Sequence, residues 1–351
     1  MSLDFLSHSH PDAGSRVTVA EGIEWLTMPL PFALDHVNIW VLQSDDDVVV
    51  IDTGIDNQTI RDLWQHQLTD FPGGNAGANT HPGAAESCQR RLLITHYHPD
   101  HAGLSGWLAQ QLGASEVYFH AQEYVLAERT RAATDATVRE ESAKWYRSHG
   151  LADSIIEAMG ARGNSYRRIV AELPARFTAL QHGDMVRVGR QEWQVIVAGG
   201  HAPAMLCLYN AASQVLIAAD HILPRITPNV SLSWYSTTQD PLSQFLEAFE
   251  RFSELPPDTL VLPSHGLPFR GLHTRIEQLL QHHHERLEEV CTLCKTPKTA
   301  AELLPFMFRP DLDAHQMMFA MGEALAHLRY LEVRERLLPE TDGAVIRYRA
   351  C

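Results

Sequence analysis

The chain has 351 residues, 45% hydrophobic and 20% charged, the balance of an ordinary globular protein. A formal net charge of -15 speaks against a phosphate backbone as its main partner, because nucleic-acid binding draws on clustered Lys and Arg. No stretch approaches the roughly 18 uninterrupted apolar residues of a membrane span, and "MSLDFLSHSHPDAGS" lacks the basic start and apolar core of a secretory signal. The five cysteines, odd in number and scattered, fit a reducing cytoplasm better than a disulfide scaffold.

In chain order, "RVTVAEGIEWLTMP" and "NIWVLQSDDDVVVIDTG" carry β-branched and aromatic runs, the second broken by an acidic hairpin turn at Asp45 to Asp47. The Gly/Pro/Asn-rich stretch from Phe71 to Ala85 reads as a loop. "RLLITHYHPDHAG" is a buried strand running into a histidine cluster, followed by the helix "LSGWLAQQLG" with Gly113 as its stop and the strand "EVYFH". Strand, helix, strand implies α/β layering. Residues 121–175 turn helical and charged, without a chemistry motif. They read as an insertion across one face, and Trp145, Tyr146 and Tyr166 suit a lid whose deletion alters substrate preference but not metal content. The β pattern returns from Phe177 with "DMVRVGRQEWQVIVAGGHAP", "AMLCLYNAASQVLIAADHI" and "DTLVLPSHG". From His273 the chain is helical with a break at "CKTPKTAAELL" and ends in the strand-like "GAVIRYRA", a winged-helix-like order. Cys291 and Cys294 read as two helical thiols, since a zinc site would want a second pair. His282, His283 and His284 cannot share one helix side and read as a solvated helix.

The chemistry concentrates in "ITHYHPDHAG". In an extended segment His96, His98 and Asp100 share a face, and His101 follows where the strand turns into helix. Imidazole and carboxylate are the ligands that zinc and similar divalent ions prefer. Four buried polar groups side by side would otherwise each need their own partner. His201 after "VIVAGG", Asp220 after "VLIAA" and His265 after "LVLPS" each close an apolar run and open a loop, where an α/β sheet presents functional side chains.

The set H-x-H-x-D-H, Gly-His, strand-end Asp and Ser-His-Gly, with "VVVIDTG" upstream, resembles the metallo-β-lactamase superfamily of dinuclear metallohydrolases, in its glyoxalase II-like and lactonase-like branch. The resemblance implies an αββα sandwich over residues 1–272, interrupted by the helical insertion at about 121–175, and the residue pattern adds a small winged-helix-like C-terminal domain over 273–351. It gives His96, His98 and His201 to one metal and Asp100, His101 and His265 to the other, with Asp220 bridging. Asp52 would stand behind a ligand histidine and orient it. The implied cofactors are two divalent ions, zinc first, with iron or manganese as alternatives. Such a pair generates a bridging hydroxide and polarises a carbonyl, while Asp100 and Asp220 act as catalytic carboxylates, Asp100 orienting the nucleophile and returning its proton. The expected reaction is cleavage of an ester, thioester or lactone of a small molecule.

Departures from that pattern bear on detail. Around His201, "GGHAPAMLCL" has Ala202, Ala204 and Met205 where relatives carry a hydroxyl, a glycine and a second histidine. Ala219 stands before Asp220 where glycine is frequent, and His221 after it reads as a residue behind the ligands or a packing residue. Arg225 is a candidate clamp for a substrate carboxylate, Tyr235 a candidate substrate contact, and Tyr97 a packing residue facing away from the metals. Two other readings stand beside the hydrolase: a mononuclear iron catalyst similar to the persulfide dioxygenases, and a nucleic-acid-binding regulator prompted by the tail. In that tail Asp and Glu outnumber Lys and Arg, so neither nucleic acid nor membrane is expected as partner, and packing or homodimerisation is the better use for it.

Overall fold

Alternating and continuous apolar runs set the strands, and each sheet buries them on at least one face. The computed structural model describes residues 3–71, 88–236 and 239–351; beyond Phe71, the loop expected up to Ala85 lies outside them. The chain opens with β1 (Asp4–Phe5). It then lays down β2 (Val17–Ala20), β3 (Ile23–Pro29), β4 (His36–Gln43), β5 (Asp47–Ile51), β6 (Gln89–Leu93), β7 (Glu116–Phe119) and β8 (Thr178–Ala179), hydrogen-bonded in sequence order as one seven-stranded sheet. Pairing is antiparallel from β2 to β5 and parallel from β5 to β8. The second sheet takes β9 (Met185–Val188), β10 (Gln191–Ala198), β11 (Met205–Asn210), β12 (Val215–Ala219), β13 (Leu260–Pro263) and β14 (Phe269–Arg270), and β1 completes it beside β14. The acidic turn joins β4 to β5 as expected from the sequence.

Trp25, Trp40, Trp193, Val195, Leu206 and Leu262 fill the space between the sheets. Full burial of such side chains stabilises by about 1.5–3 kcal/mol each. Outside the first sheet lie α1 (Gln58–Leu68), α2 (Pro99–Ala102) and α3 (Ser105–Leu112), whose Ile60, Trp64 and Leu108 pack on Val41, Val50 and Leu92. Gly113 ends α3 at φ 60, a left-handed stop that suits glycine. The insertion forms α4 (Ala121–Ala132), α5 (Asp135–Ser148), α6 (Asp153–Gly160) and α7 (Ser165–Ile169). After β12 come α8 (Pro241–Ala248) and a 3-10 turn at Phe249–Phe252. The tail is α9 (Leu272–Leu293), α10 (Ala300–Met307), α11 (Ala314–Val333) and a hairpin of β15 (Leu337–Asp342) and β16 (Val345–Ala350).

Two helical layers enclose two sheets, as the resemblance implies, and the tail is three helices followed by a hairpin. It does not stand apart: Leu279, Leu303 and Leu325 from the tail, Tyr146 and Ile156 from the insertion, and Ile196, Met205 and Leu216 from the second sheet form one buried cluster. Among the described residues no helix is long and apolar enough to cross a membrane.

The histidine row of α9 departs from the expectation. His284 is exposed, but His283 is buried and sets its Nδ1 3.3 Å from Nε2 of the buried His327 on α11. A solvated helix was expected because the covering face, α8 and α11, is remote in sequence.

Candidate metal centre

The segments after β6, β10, β12 and β13 deliver seven side chains to one point. His96, His98, His201 and Asp220 present ligand atoms within 4.8 Å of one another, and Asp100, His101 and His265 form a second such group. Asp220 faces both. Its Oδ2 lies 3.3 Å from His201 Nε2, 3.6 Å from His101 Nε2 and 3.9 Å from His96 Nε2, while Oδ1 lies 3.5 Å from His265 Nε2. Asp100 Oδ2 sits 3.3 Å from His265 Nε2 and 3.5 Å from His101 Nε2. The structure thus brings together every residue the sequence offered as a metal ligand.

Four of the imidazoles have their outward nitrogen committed as a donor. His101 Nδ1–H donates to Asp52 Oδ2 at 2.8 Å, His201 Nδ1–H to the Asn229 carbonyl at 2.7 Å, and His265 Nδ1–H to the His36 carbonyl at 2.8 Å. Thr95 Oγ1–H donates to Asp52 Oδ2 at 2.8 Å and so accepts from His96 Nδ1–H at 3.0 Å. In each ring Nε2 is the atom left to face the cluster. Bonds of this kind fix tautomer and ring angle in metal sites.

Asp52 needs its own backbone to reach this position. It sits at φ 69, a left-handed conformation that aspartate tolerates, and also accepts from the Thr95 amide at 2.8 Å. The neighbouring Thr53 hydroxyl donates to the His101 carbonyl at 2.8 Å and accepts from the Leu104 amide at 3.0 Å. Gly54 N–H reaches the Asp100 carbonyl at 3.0 Å. "DTG" is therefore the cradle of the histidine segment. On β4 Asn38 is fully buried. It donates Nδ2–H to the carbonyls of Pro263 and Gly266, both at 2.8 Å, and pins the turn that carries His265.

The residues present fit a cation. His101 Nε2, His201 Nε2, His265 Nε2 and Asp220 Oδ1 are buried and have no hydrogen-bond partner. An orphaned buried polar atom costs about 1–3 kcal/mol, and several converging on one point share a single remedy. Without a metal, charge is balanced internally. Burial works against ionisation of Asp100 and Asp220, yet His101 and His265 outweigh it and hold both carboxyls well below the usual range. Burial pulls His265 down, but Asp220 and Asp100 push it up to about 10, and His101 is likewise raised by Asp100, Asp220 and Asp52 against its own burial. The carboxylates thus draw positive charge to the point where the rings converge.

Other expected site residues land elsewhere. Arg225 is exposed and lays its guanidinium over the Phe5 ring, 5.3 Å from the centroid, so it stacks on β1 and does not clamp at the cluster. His221 is fully buried among Phe245, Phe249 and Phe252, with neither ring nitrogen bonded, so it packs and orients no ligand. Tyr235 hydroxyl meets Tyr97 hydroxyl at 3.0 Å, and the Tyr97 ring centroid lies 4.5 Å from that of His98. Tyr97 is buried, a packing residue that also touches a ligand ring.

Two glutamates were not anticipated. Glu123 on α4, fully buried, accepts from the Tyr97 amide at 2.9 Å and the Ala204 amide at 2.6 Å, tying together the two segments that carry the first ligand set. Burial pushes its carboxyl up to about 7. The insertion is therefore more than a removable lid: Glu123, with Tyr166 hydroxyl donating to the Tyr97 carbonyl at 2.6 Å, supports the segments around His98 and His201 from behind. Glu323 on α11 accepts from Asn229 Nδ2–H at 3.2 Å, behind His201.

Comparison with known proteins agrees with this architecture. Residues 33–265 match the family model described as metallo-beta-lactamase superfamily, and residues 287–351 match one described as metallo-beta-lactamase-like, C-terminal domain. The crystal structure of a beta-lactamase domain protein from Burkholderia ambifaria superposes with a TM-score of 0.87 at 38% identity, covering 99% of this chain and 98% of that one. A metallo-beta-lactamase family protein from Thermus thermophilus superposes at 0.77 with 27% identity, covering 95% and 100%. The probable metallo-hydrolase YqjP of Bacillus subtilis is 24% identical over 340 residues, 94% of this chain and 98% of its own. The human acyl-coenzyme A thioesterase MBLAC2 is 24% identical over 254 residues, 71% of this chain and 79% of its own. On the matched family models and the whole-length likeness, the chain belongs to the metallo-beta-lactamase superfamily and is a metal-dependent hydrolase.

Proposed function

We propose that this hydrolase cleaves an ester, thioester or lactone of a small molecule at two divalent ions, most simply zinc. His96, His98 and His201 would hold one ion, Asp100, His101 and His265 the other, with Asp220 between them. The observation that carries this reading is the Asp220 carboxylate, whose two oxygens face histidines of both groups. When bound, such a pair polarises the scissile carbonyl and brings the pKa of a shared water near neutrality.

The chain's own residues supply the rest. Asp100 keeps part of its side chain, 19%, open to solvent, and its carboxylate stays ionised against burial through His101 and His265. It can orient the attacking water and help pass its proton to the leaving alcohol or thiol. Asp220, nearly closed to solvent, holds the two groups in register. Tyr235, whose hydroxyl meets that of the buried Tyr97 beside His98, would contact the acyl group. A thioester is the first substrate to try, because one relative is named an acyl-coenzyme A thioesterase.

The mononuclear iron reading has less behind it, since Asp100, His101 and His265 converge as a second group. The test is a panel of an acyl-coenzyme A, a simple aryl ester and an acyl lactone against the zinc-loaded protein. Turnover of any of them, lost in His101→Ala, supports the proposal. No turnover of the panel, with oxygen uptake by an iron-loaded sample, overturns it.

A further inference from the structure

A third group of ligand-type atoms lies outside the cluster around Asp220. His10, Asp35 and His36 each offer one such atom, all within 4.8 Å of one another. His10 belongs to the segment between β1 and β2, while Asp35 and His36 close the turn between β3 and β4. The two imidazoles stack with centroids 4.1 Å apart at 33°.

Local bonds prepare these side chains as ligands. His10 Nδ1–H donates to the Pro11 carbonyl at 2.8 Å, which leaves Nε2 of that ring as a bare lone pair. His36 Nδ1 lies 2.6 Å from Asp35 Oδ1, so these two atoms face one point and an ion there would displace the proton they share. The His36 ring is 12% exposed, whereas Asp35 is 79% exposed, so one side of the group is enclosed and the other open to an entering ion and its waters. Two closely stacked rings repel one another if both are protonated. Two imidazoles and one carboxylate are a ligand set that zinc takes with water in the fourth position.

We propose that His10, Asp35 and His36 form a further divalent-metal site, for zinc or a similar borderline cation, separate from the catalytic centre. Its role is architectural. An ion here fixes the start of β4 against the N-terminal segment. The same turn leans on the tail, with the Phe32 ring 5.7 Å from that of His315. The site takes no part in the reaction and does not depend on the hydrolase reading.

The experiment is zinc uptake by the full-length, chelator-stripped protein at fixed free zinc, counted by elemental analysis. His10→Ala, Asp35→Ala and His101→Ala are compared with the unsubstituted chain, and circular dichroism checks that each folds. His10→Ala and Asp35→Ala each take up one zinc fewer, and the cobalt spectrum of the catalytic centre is unchanged in both. Equal uptake by wild type and both variants overturns the site. Loss in His10→Ala but not in Asp35→Ala also overturns it as a three-ligand site. Full uptake in His101→Ala beside reduced uptake in the other two would instead strike the dinuclear catalytic reading and leave this one standing.

Discussion

His201 donates Nδ1–H to the backbone carbonyl of Asn229 at 2.7 Å, and the Asn229 side chain is in turn held by the tail. Its Nδ2–H reaches Glu323 Oε2 at 3.2 Å, Ser231 Oγ–H donates to its Oδ1 at 2.5 Å, and the Leu232 amide bonds the Gly322 carbonyl at 3.0 Å. Through this short segment the C-terminal helix α11 sets the angle of the His201 ring. Glu323→Ala should weaken metal binding by about tenfold, the low end of what partners of ligand histidines contribute. Glu323→Gln keeps an acceptor and should retain affinity. Chelator competition on the two variants checks this, and equal affinities would leave the tail without influence on His201.

Burial, only partly offset by Asn229 and Arg286, raises the Glu323 carboxyl to about 7, above its ordinary value of 4.5. The folded state therefore keeps a proton that the unfolded chain loses. That contribution to stability is complete below about 4.5 and is lost as pH rises through about 7, at roughly 1.4 kcal/mol per unit of pKa shift. Glu323→Gln imitates the protonated form. Its melting temperature relative to wild type should climb between pH 5 and pH 8; a difference independent of pH would contradict the raised carboxyl.

Asp52 bonds His101 Nδ1 and both the amide and the hydroxyl of Thr95. Asp52→Ala should lower metal affinity by about 10–100-fold and destabilise the fold by leaving the Thr95 amide buried without a partner. Zinc titration of the stripped variant, beside its thermal melt, reads both effects. Unchanged affinity would mean that the cradle does not position His101.

In the metal-free protein the carboxylates raise His101 and His265 against their burial, His265 to about 10, which favours the protonated rings. A metal can bind those rings only by displacing the protons. Zinc loading at pH 7 should therefore release protons, measurable as a dependence of calorimetric enthalpy on the ionisation heat of the buffer. Enthalpies that do not vary with buffer would show the rings already neutral.

How much of this the sequence discloses depends on how local each signal is. His96, His98, Asp100 and His101 are legible because all four fall within six residues of the loop and short helix that follow β6, and His201, Asp220 and His265 because each follows an apolar strand. Ala219 adopts φ 47 and Gly200 φ 108, which is why glycine suits the residue before such a ligand; a Cβ on Gly200 would lie 2.4 Å from that of Phe245. Glu123, Asn229 and Glu323 were not legible. Glu123 meets Ala204 from 81 residues away and Glu323 meets Asn229 from 94, and an isolated glutamate on a charged helix looks like solvated surface. His283 was misread for the same reason, since burial of one helix face is decided by elements far along the chain. Arg225 was overread: an arginine near a metal site suggests a carboxylate clamp, yet the Phe5 ring takes the guanidinium.

The most direct test of the central claim is the metal content of the catalytic centre measured together with hydrolysis. The chelator-stripped protein, reloaded with zinc in the His10→Ala background so that only this centre is counted, should bind two zinc ions and hydrolyse an acyl-coenzyme A or another ester of the panel. Adding His101→Ala should bring it to one zinc and abolish turnover. A single ion in the parent, unmoved by His101→Ala and with no hydrolysis of thioester, ester or lactone, would contradict the account.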